Sequence, residues 1–194
     1  TFDEELYGTG QNGFSEIFST YTGVNASNDI SEKEILENQH LMHGSGVALG
    51  DVNGDKLIDI YIPRIKEDNV LYINKGECQF ENFTLAAGVA APNRYSNGSV
   101  FADVDGDRDL DLIVTALGGP NSVFINDGNG IFAEKKLDSK LNNPGSTSSA
   151  LADVDNDGDL DLYITNYKQI AMRDSLPPPA ISFENTLYQS PDGK

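Results

Sequence analysis

Four things are scarce in this chain of 194 residues. Cysteine occurs once, as Cys78, so no internal disulfide framework can hold a fold together. That thiol falls just before Phe80 at an expected turn and reads as incidental. Long apolar runs are missing, and nothing approaches the roughly 18 residues a membrane helix needs. The N-terminal Thr1-Phe2-Asp3-Glu4-Glu5 has neither the basic start nor the apolar core of a signal peptide, so an exported form would have had its signal removed. Basic side chains are few: 13 Lys and Arg against 31 Asp and Glu leave a net charge of −18. Nucleic acid and insertion into an anionic membrane are thereby disfavoured, since both partners ask for a positive footprint. The two histidines, His40 and His43, lie three apart without a Glu-x-x-His context, and read as residues of an irregular connector rather than as metal ligands.

What the chain does have is carboxylate at a fixed spacing. Asp153-Val154-Asp155-Asn156-Asp157-Gly158-Asp159-Leu160-Asp161 packs five acids into nine residues, which would repel one another in any compact fold unless a cation sat among them. Side-chain oxygens at positions 1, 3, 5 and 9 (Asp153, Asp155, Asp157, Asp161) can converge if the backbone curls, with the carbonyl of position 7 (Asp159) closing the ring. An oxygen-only, flexible shell of six or more ligands suits calcium better than magnesium. Gly158 at position 6 permits the positive φ that the curl needs. An EF-hand would place a bidentate Glu at position 12. Here position 12 is Ile164, in a β-branched, alternating run that reads as a strand, so the loop belongs to a β-hairpin.

Two further loops share this frame. Asp51, Asn53, Asp55, Leu57 (through its carbonyl) and Asp59 precede Ile60-Tyr61-Ile62, and Asp103, Asp105, Asp107, Asp109 and Asp111 precede Leu112-Ile113-Val114. The starts are 52 and 50 residues apart, a period expected of propeller blades. Three bound calcium ions would bring the charge from −18 to −12, so the metal-free chain is expected to be the less stable form.

Four strands per unit can be written down. In the first they are Val47 to Leu49, Ile58 to Ile62, Asn69 to Ile73 and Phe80 to Leu85, and in the second Val100 to Ala102, Leu110 to Thr115, Ser122 to Ile125 and Ile131 to Lys135. The third has Ser149 to Ala152 and Leu160 to Thr165. Its Leu187-Tyr188 then matches Leu71-Tyr72 after about fourteen inserted residues that include Ser175-Leu176-Pro177-Pro178-Pro179. Residues 1–24 echo the tail of a unit, since Leu6-Tyr7, Asn12 to Phe18 and Thr22-Gly23-Val24 parallel Leu71-Tyr72, Phe80 to Thr84 and Ala87-Gly88-Val89. The fold expected is all-β: four-stranded antiparallel propeller blades, about three plus partial ends. The expected divisions are a partial blade over 1–24, a helical insertion over 25–45 opened by a Ser31 to Glu34 capping box, blades over 46–96 and 97–146, and a blade over 147–194 that carries a 166–182 insertion and lacks its last strand.

Gly46-Val47-Ala48-Leu49-Gly50-Asp51-Val52-Asn53-Gly54-Asp55, Asn69-Val70-Leu71-Tyr72-Ile73-Asn74-Lys75-Gly76, Phe80 and Ala87-Gly88-Val89 together resemble the FG-GAP or VCBS repeat. That repeat is the calcium-binding blade of the integrin alpha-subunit propeller, and is also found beside ASPIC/UnbV domains and in cartilage acidic protein. The loops at Asp51 and Asp103 depart from the family pattern, with Lys56 and Arg108 at position 6 and glycine at position 4 (Gly54, Gly106), which predicts weaker binding or a different curl there. The resemblance implies a seven-bladed propeller, so the remaining blades are expected in the same or another chain. It also implies an extracellular, secreted or cell-surface setting (periplasmic in a bacterium), and structural calcium, up to three ions. Antiparallel alternation puts all three loops on one rim and both insertions on the other. A protein or glycan ligand in an adhesion role is expected on the insertion rim. The alternative is a lectin or the propeller of a polysaccharide lyase, whose catalytic groups would be drawn from His40, His43, Lys168 and Arg173.

Overall fold

The computed structural model describes residues 16–37, 41, 44–138, 141, 145–167 and, by their backbone, 186–188. The N-terminal echo up to residue 15, His40, His43, Lys168, Arg173, the proline run at 177–179 and residues 191–194 lie outside the described residues.

The chain is all-β, arranged as consecutive antiparallel sheets of the propeller-blade kind. The first sheet runs β1 (Ala48–Gly50), β2 (Asp59–Ile62), β3 (Val70–Asn74) and β4 (Phe80–Asn82), each pairing with the next. The second repeats it with β5 (Ser96–Ala102), β6 (Asp111–Ala116), β7 (Ser122–Asn126) and β8 (Phe132–Lys135). The third has β9 (Ser146–Ala152), β10 (Asp161–Asn166) and β11 (Thr186–Tyr188) among the described residues. β5 lies against both β1 and β9, so the sheets meet through their first strands and fan outward from them.

Register carries the repeat. Leu71 stands opposite Tyr61, Val123 opposite Ile113 and Leu187 opposite Tyr163. β11 therefore keeps the register of the other third strands despite the longer connection before it, whereas a slip of one residue would reverse the facing of a strand. β6 is buried along its whole length because sheets cover both its faces, which explains its unbroken Leu112-Ile113-Val114 run. Tyr61, Leu71, Val89, Leu112 and Phe124 lead the core. Burial drives the Tyr61 hydroxyl well above its ordinary pKa, and the neutral group donates to the Val89 carbonyl (2.9 Å) while accepting from Asn69 Nδ2 (2.7 Å).

Two first strands start earlier than the sequence suggests, at Ser96 and Ser146 instead of Val100 and Ser149, and the strand expected over Phe80 to Leu85 ends at Asn82. The Asn82 Oδ1 accepts from both the Thr84 N–H (3.1 Å) and the Thr84 hydroxyl (2.7 Å), an Asx turn that competes with the ladder and starts α3 (Thr84–Ala87). Gly88 ends α3 in the left-handed region. The same device appears near the N-terminus, where α1 (Ser19–Thr22) ends at left-handed Gly23. A Cβ on Gly23 would lie 2.6 Å from the Phe80 carbonyl oxygen, and one on Gly88 would lie 3.1 Å from that of Phe132. Residues 16–24 thus sit against the first sheet as residues 83–89 sit against the second.

The insertion forms α2 (Glu32–Glu37), and its capping box is present. The Ser31 hydroxyl (2.6 Å) and N–H (2.9 Å) both donate to Glu34 Oε2, and these bonds, helped by Lys66, hold the Glu34 carboxyl at about 2. The segment docks on the β2 to β3 connection. Ile65 N–H donates to Asn28 Oδ1 (2.7 Å), Arg64 Nε to the Ser27 carbonyl (2.8 Å), and Lys66 pairs with Glu34 (2.9 Å). That connection lies at the end of the hairpin remote from the Asp51 loop. The β7 to β8 turn, by contrast, shares the loop rim, since a Cβ on Gly128 would fall 2.4 Å from Asp109 Oδ2.

Adjacent sheets are clamped by buried asparagine amides just ahead of β3 and β7. Asn69 Nδ2 donates to Ser96 Oγ (3.0 Å), and Asn121 Nδ2 to Ser146 Oγ (2.9 Å). Such amides hold only where every polar atom is met, and Asn69 Oδ1 and Asn121 Oδ1 accept from Arg64 N–H and Ala116 N–H.

Candidate metal centres

Each loop is held by its own carboxylates. The first-position acid accepts from position 6: Lys56 N–H to Asp51 (2.8 Å), Arg108 N–H to Asp103 (3.0 Å), Gly158 N–H to Asp153 (3.1 Å). The fifth accepts from position 7: Leu57 N–H to Asp55 (2.8 Å), Asp109 N–H to Asp107 (2.9 Å), Asp159 N–H to Asp157 (3.0 Å). The ninth accepts from position 2: Val52 N–H to Asp59 (3.0 Å), Val104 N–H to Asp111 (2.9 Å), Val154 N–H to Asp161 (3.0 Å). In the first two sheets the other oxygen of the ninth residue takes the N–H of Asn74 or Asn126 (2.8 Å each), tying the loop to the third strand.

The curl is the same in all three loops, which settles how glycine is used. Positions 4 and 6 are both left-handed: Gly54 (φ 76°) and Lys56 (71°), Gly106 (83°) and Arg108 (79°), Asn156 (60°) and Gly158 (95°). Every loop needs two positive-φ residues, supplies one glycine, and accepts strain at the other. The different curl expected at Asp51 and Asp103 is therefore not found. The loop at Asp153 is the less strained, because asparagine tolerates that region better than lysine or arginine.

Convergence follows the carboxylates at 1, 3 and 9. Asp103, Asp105 and Asp111 form one cluster and Asp153, Asp155 and Asp161 another, with one ligand oxygen from each acid lying within 4.8 Å of the others. With calcium to oxygen distances of 2.3–2.6 Å, oxygens on opposite sides of one ion stand up to about 5.2 Å apart, so both clusters fit a calcium ion. In the loop at Asp51 the third position is neutral Asn53, whose Nδ2 donates to Asp55 Oδ2 (3.1 Å). The fifth-position acids Asp55, Asp107 and Asp157 are turned to the position-7 N–H groups and fall outside both clusters. Leu57, Asp109 and Asp159, expected to offer carbonyls, are the residues whose N–H groups those acids hold.

The ninth-position acids have the most unusual surroundings. Asp59 and Asp111 are fully buried, and desolvation raises both pKa values, the neighbouring loop acids adding to it against the backbone N–H donors. Asp155 is also raised. A divalent ion in each loop would relieve the acid of that loop. Sequence reading missed Asn74 and Asn126. Asn74 Nδ2 donates to the Ile58 carbonyl (2.9 Å), while Asn126 Nδ2 donates to Leu110 (3.1 Å) and, across the sheet boundary, to Val52 (2.8 Å). The signal is the Ile-Asn pair, Ile73-Asn74 and Ile125-Asn126, that ends the third strand in both units.

Repeated four-stranded sheets with an acidic hairpin loop define a class of propeller-blade repeat proteins. The FG-GAP-like repeat matches over residues 51–114 and 103–164, more than half of the chain, which belongs to that family. A stretch of 82 residues is 27% identical to cartilage acidic protein 1 of Xenopus tropicalis, covering 42% of this chain and 13% of that protein. The chain thus spans a small part of this relative's length. Among the described residues, no helix is long and apolar enough to cross a membrane.

Proposed function

We propose that this chain is an extracellular interaction module in which calcium holds the loop rim and the opposite rim receives a protein or glycan partner. The observation that carries the calcium reading is the gathering of Asp103, Asp105 and Asp111, and of Asp153, Asp155 and Asp161, on hairpins that are left-handed at the same two positions. The acids both accept the loop's own N–H groups and retain lone pairs for an ion, so the metal is a structural clip and not a reaction centre. Affinities of extracellular calcium modules, about 10⁻⁴ to 10⁻³ M, are sufficient for such a role.

Two features support the insertion rim as the binding surface. The connection at 91–95 concentrates backbone strain, with Ala91, Asn93 and Tyr95 all at positive φ (44°, 60° and 53°), and strain of this kind gathers at ligand clamps. Tyr95 is also 43% exposed, its ring lying over Gly118, where a Cβ would come within 2.4 Å of it. Exposed tyrosine suits both protein and glycan contacts. Calorimetric titration with calcium tests the first half, and saturable binding with the loops at Asp103 and Asp153 filling ahead of the loop at Asp51 is expected. A glycan array and a pull-down from extracellular fluid, each run beside Tyr95→Ala, test the second. Absence of calcium binding removes the first half, and signals untouched by Tyr95→Ala remove the second.

A further inference from the structure

One buried side chain is shared by two loops. Asn126, at the end of β7, is only 4% exposed, and every hydrogen-bonding position of its amide is met. Its Nδ2 donates to the Val52 carbonyl of the first loop (2.8 Å) and to the Leu110 carbonyl of the second (3.1 Å). Its Oδ1 accepts the N–H groups of Gly128 (3.2 Å) and Gly130 (3.1 Å), which fixes the β7 to β8 turn on the same amide. Two donors and two lone pairs are all that an amide offers, so nothing is left over.

The turn also lies against both loops. A Cβ on Gly130 would stand 3.5 Å from the Val52 side chain and 3.6 Å from the Asn53 Cβ, at positions 2 and 3 of the first loop, while Gly128 faces Asp109 at position 7 of the second. The tie ends on an acid at each side. Asp59 Oδ2 accepts the Val52 N–H (3.0 Å), and Asp111 Oδ1 accepts the Asn126 N–H (2.8 Å). A path of hydrogen bonds thus runs from Asp59 through Val52 and Asn126 to Asp111, across the boundary between two sheets and through four buried residues. None of the Asn126 bonds reaches the loop at Asp153.

We propose that Asn126 is a positioning residue that couples the first two loops, so that calcium in the loop at Asp103 raises the calcium affinity of the loop at Asp51, and the reverse by the same factor. This rests on the calcium reading proposed above. An ion drawing on Asp111 sets Asn126 and its turn in one place, and Val52, between Asp51 and Asn53, is then held before the second ion arrives. Preorganisation of this kind strengthens binding because the ordering cost falls on whichever ion binds first. The loop at Asp51, with neutral Asn53 at position 3, then fills on a backbone already set by its neighbour.

Each loop carries one glycine, Gly54, Gly106 or Gly158, whose backbone amide resonance reports on that loop. Calcium titration of the isotopically labelled 194-residue chain, followed at these glycines by NMR, gives a separate midpoint for each. Asp105→Ala takes an exposed carboxylate from the second cluster and weakens that loop. It is expected to move the Gly54 midpoint to about fivefold higher calcium, at the low end of common coupling factors, and to leave Gly158 unmoved. In an Asn126→Ala background the same substitution should move Gly54 far less, since an effect carried through solvent survives that change and one carried by the tie does not. If Asn126→Ala does not fold, Asn126→Asp takes its place, keeping an acceptor for Gly128 and Gly130 while losing the donor to Val52. A Gly54 midpoint indifferent to Asp105→Ala overturns the coupling and leaves the calcium reading standing. So does a shift of equal size with and without Asn126. No calcium response at any of the three glycines removes both.

Discussion

The loops at Asp51 and Asp103 share the backbone ties from position 6 to 1, 7 to 5 and 2 to 9, yet only the second gathers three carboxylates at positions 1, 3 and 9. The difference lies at position 3, Asn53 against Asp105. The comparison separates two jobs that one motif performs: the first and ninth acids both shape the hairpin and enter the cluster, whereas the third decides whether the shaped hairpin gathers three carboxylates. Removing a ninth acid should damage fold and calcium binding together, and neutralising the third should damage mainly calcium binding.

The largest effect is expected at Asp111. Alanine there leaves the part-buried Val104 N–H and the buried Asn126 N–H without acceptors, and at about 1–3 kcal/mol for each stranded group the cost is roughly 2–6 kcal/mol in urea unfolding. Asp161→Ala, at a position 6% exposed, strands the Val154 N–H and should cost less. Equal losses would show that the ninth acid does no more than offer charge.

Exchanging position 3 comes next. Asp105→Asn should weaken calcium at that loop about tenfold, near 1.4 kcal/mol, with little change in metal-free stability. Asn53→Asp should strengthen the first loop by a similar factor. Calorimetric titration reads both, and an unchanged affinity in either would end the division of labour.

The pH response should invert with metal. Burial raises the pKa of Asp59 and Asp111 above the unfolded value, so the folded chain binds more protons in the window between the two. Their contribution is fully present below the unfolded pKa of about 3.9 and is lost as pH rises through the folded value. Chelated protein should therefore gain from these two acids as pH falls from 7 toward that window, whereas in calcium acidification should destabilise, because protons compete for the same oxygens. Glu34 acts in the opposite sense, its lowered pKa giving a contribution lost as pH falls toward 2. Urea midpoints of the wild type and Asp111→Asn against pH isolate the buried term.

The smallest effect is at the left-handed positions. Lys56→Gly and Arg108→Gly should each stabilise by about 0.5–1 kcal/mol, as relief of strain exceeds the added freedom of the unfolded chain. Asn156→Gly should gain only a few tenths, asparagine being at less disadvantage there.

The repeat, the order of the strands and the placement of the first insertion away from the Asp51 loop were legible because their signals are local and periodic. The alternation of Ile60-Tyr61-Ile62 reads as a strand, and copies at spacings of 52 and 50 residues fix the unit. The capping box at Ser31 was legible for the same reason. The end of β4 was not, because Asn82 closes it through a side-chain bond that competes with a ladder the sequence also favours. Nor were the two jobs of the acids. An aspartate that holds its own loop's N–H and one that faces an ion are the same letter, and only the fold turns Asp107 to the backbone and Asp105 into the cluster.

The central claim is that these carboxylates are a metal-held structural frame. Melting the 194-residue chain in calcium and again in EDTA tests it most directly. The midpoint should rise with calcium concentration as expected for an ion bound by the folded state alone, and should fall when the ion is chelated. A midpoint that is the same in both would contradict the account.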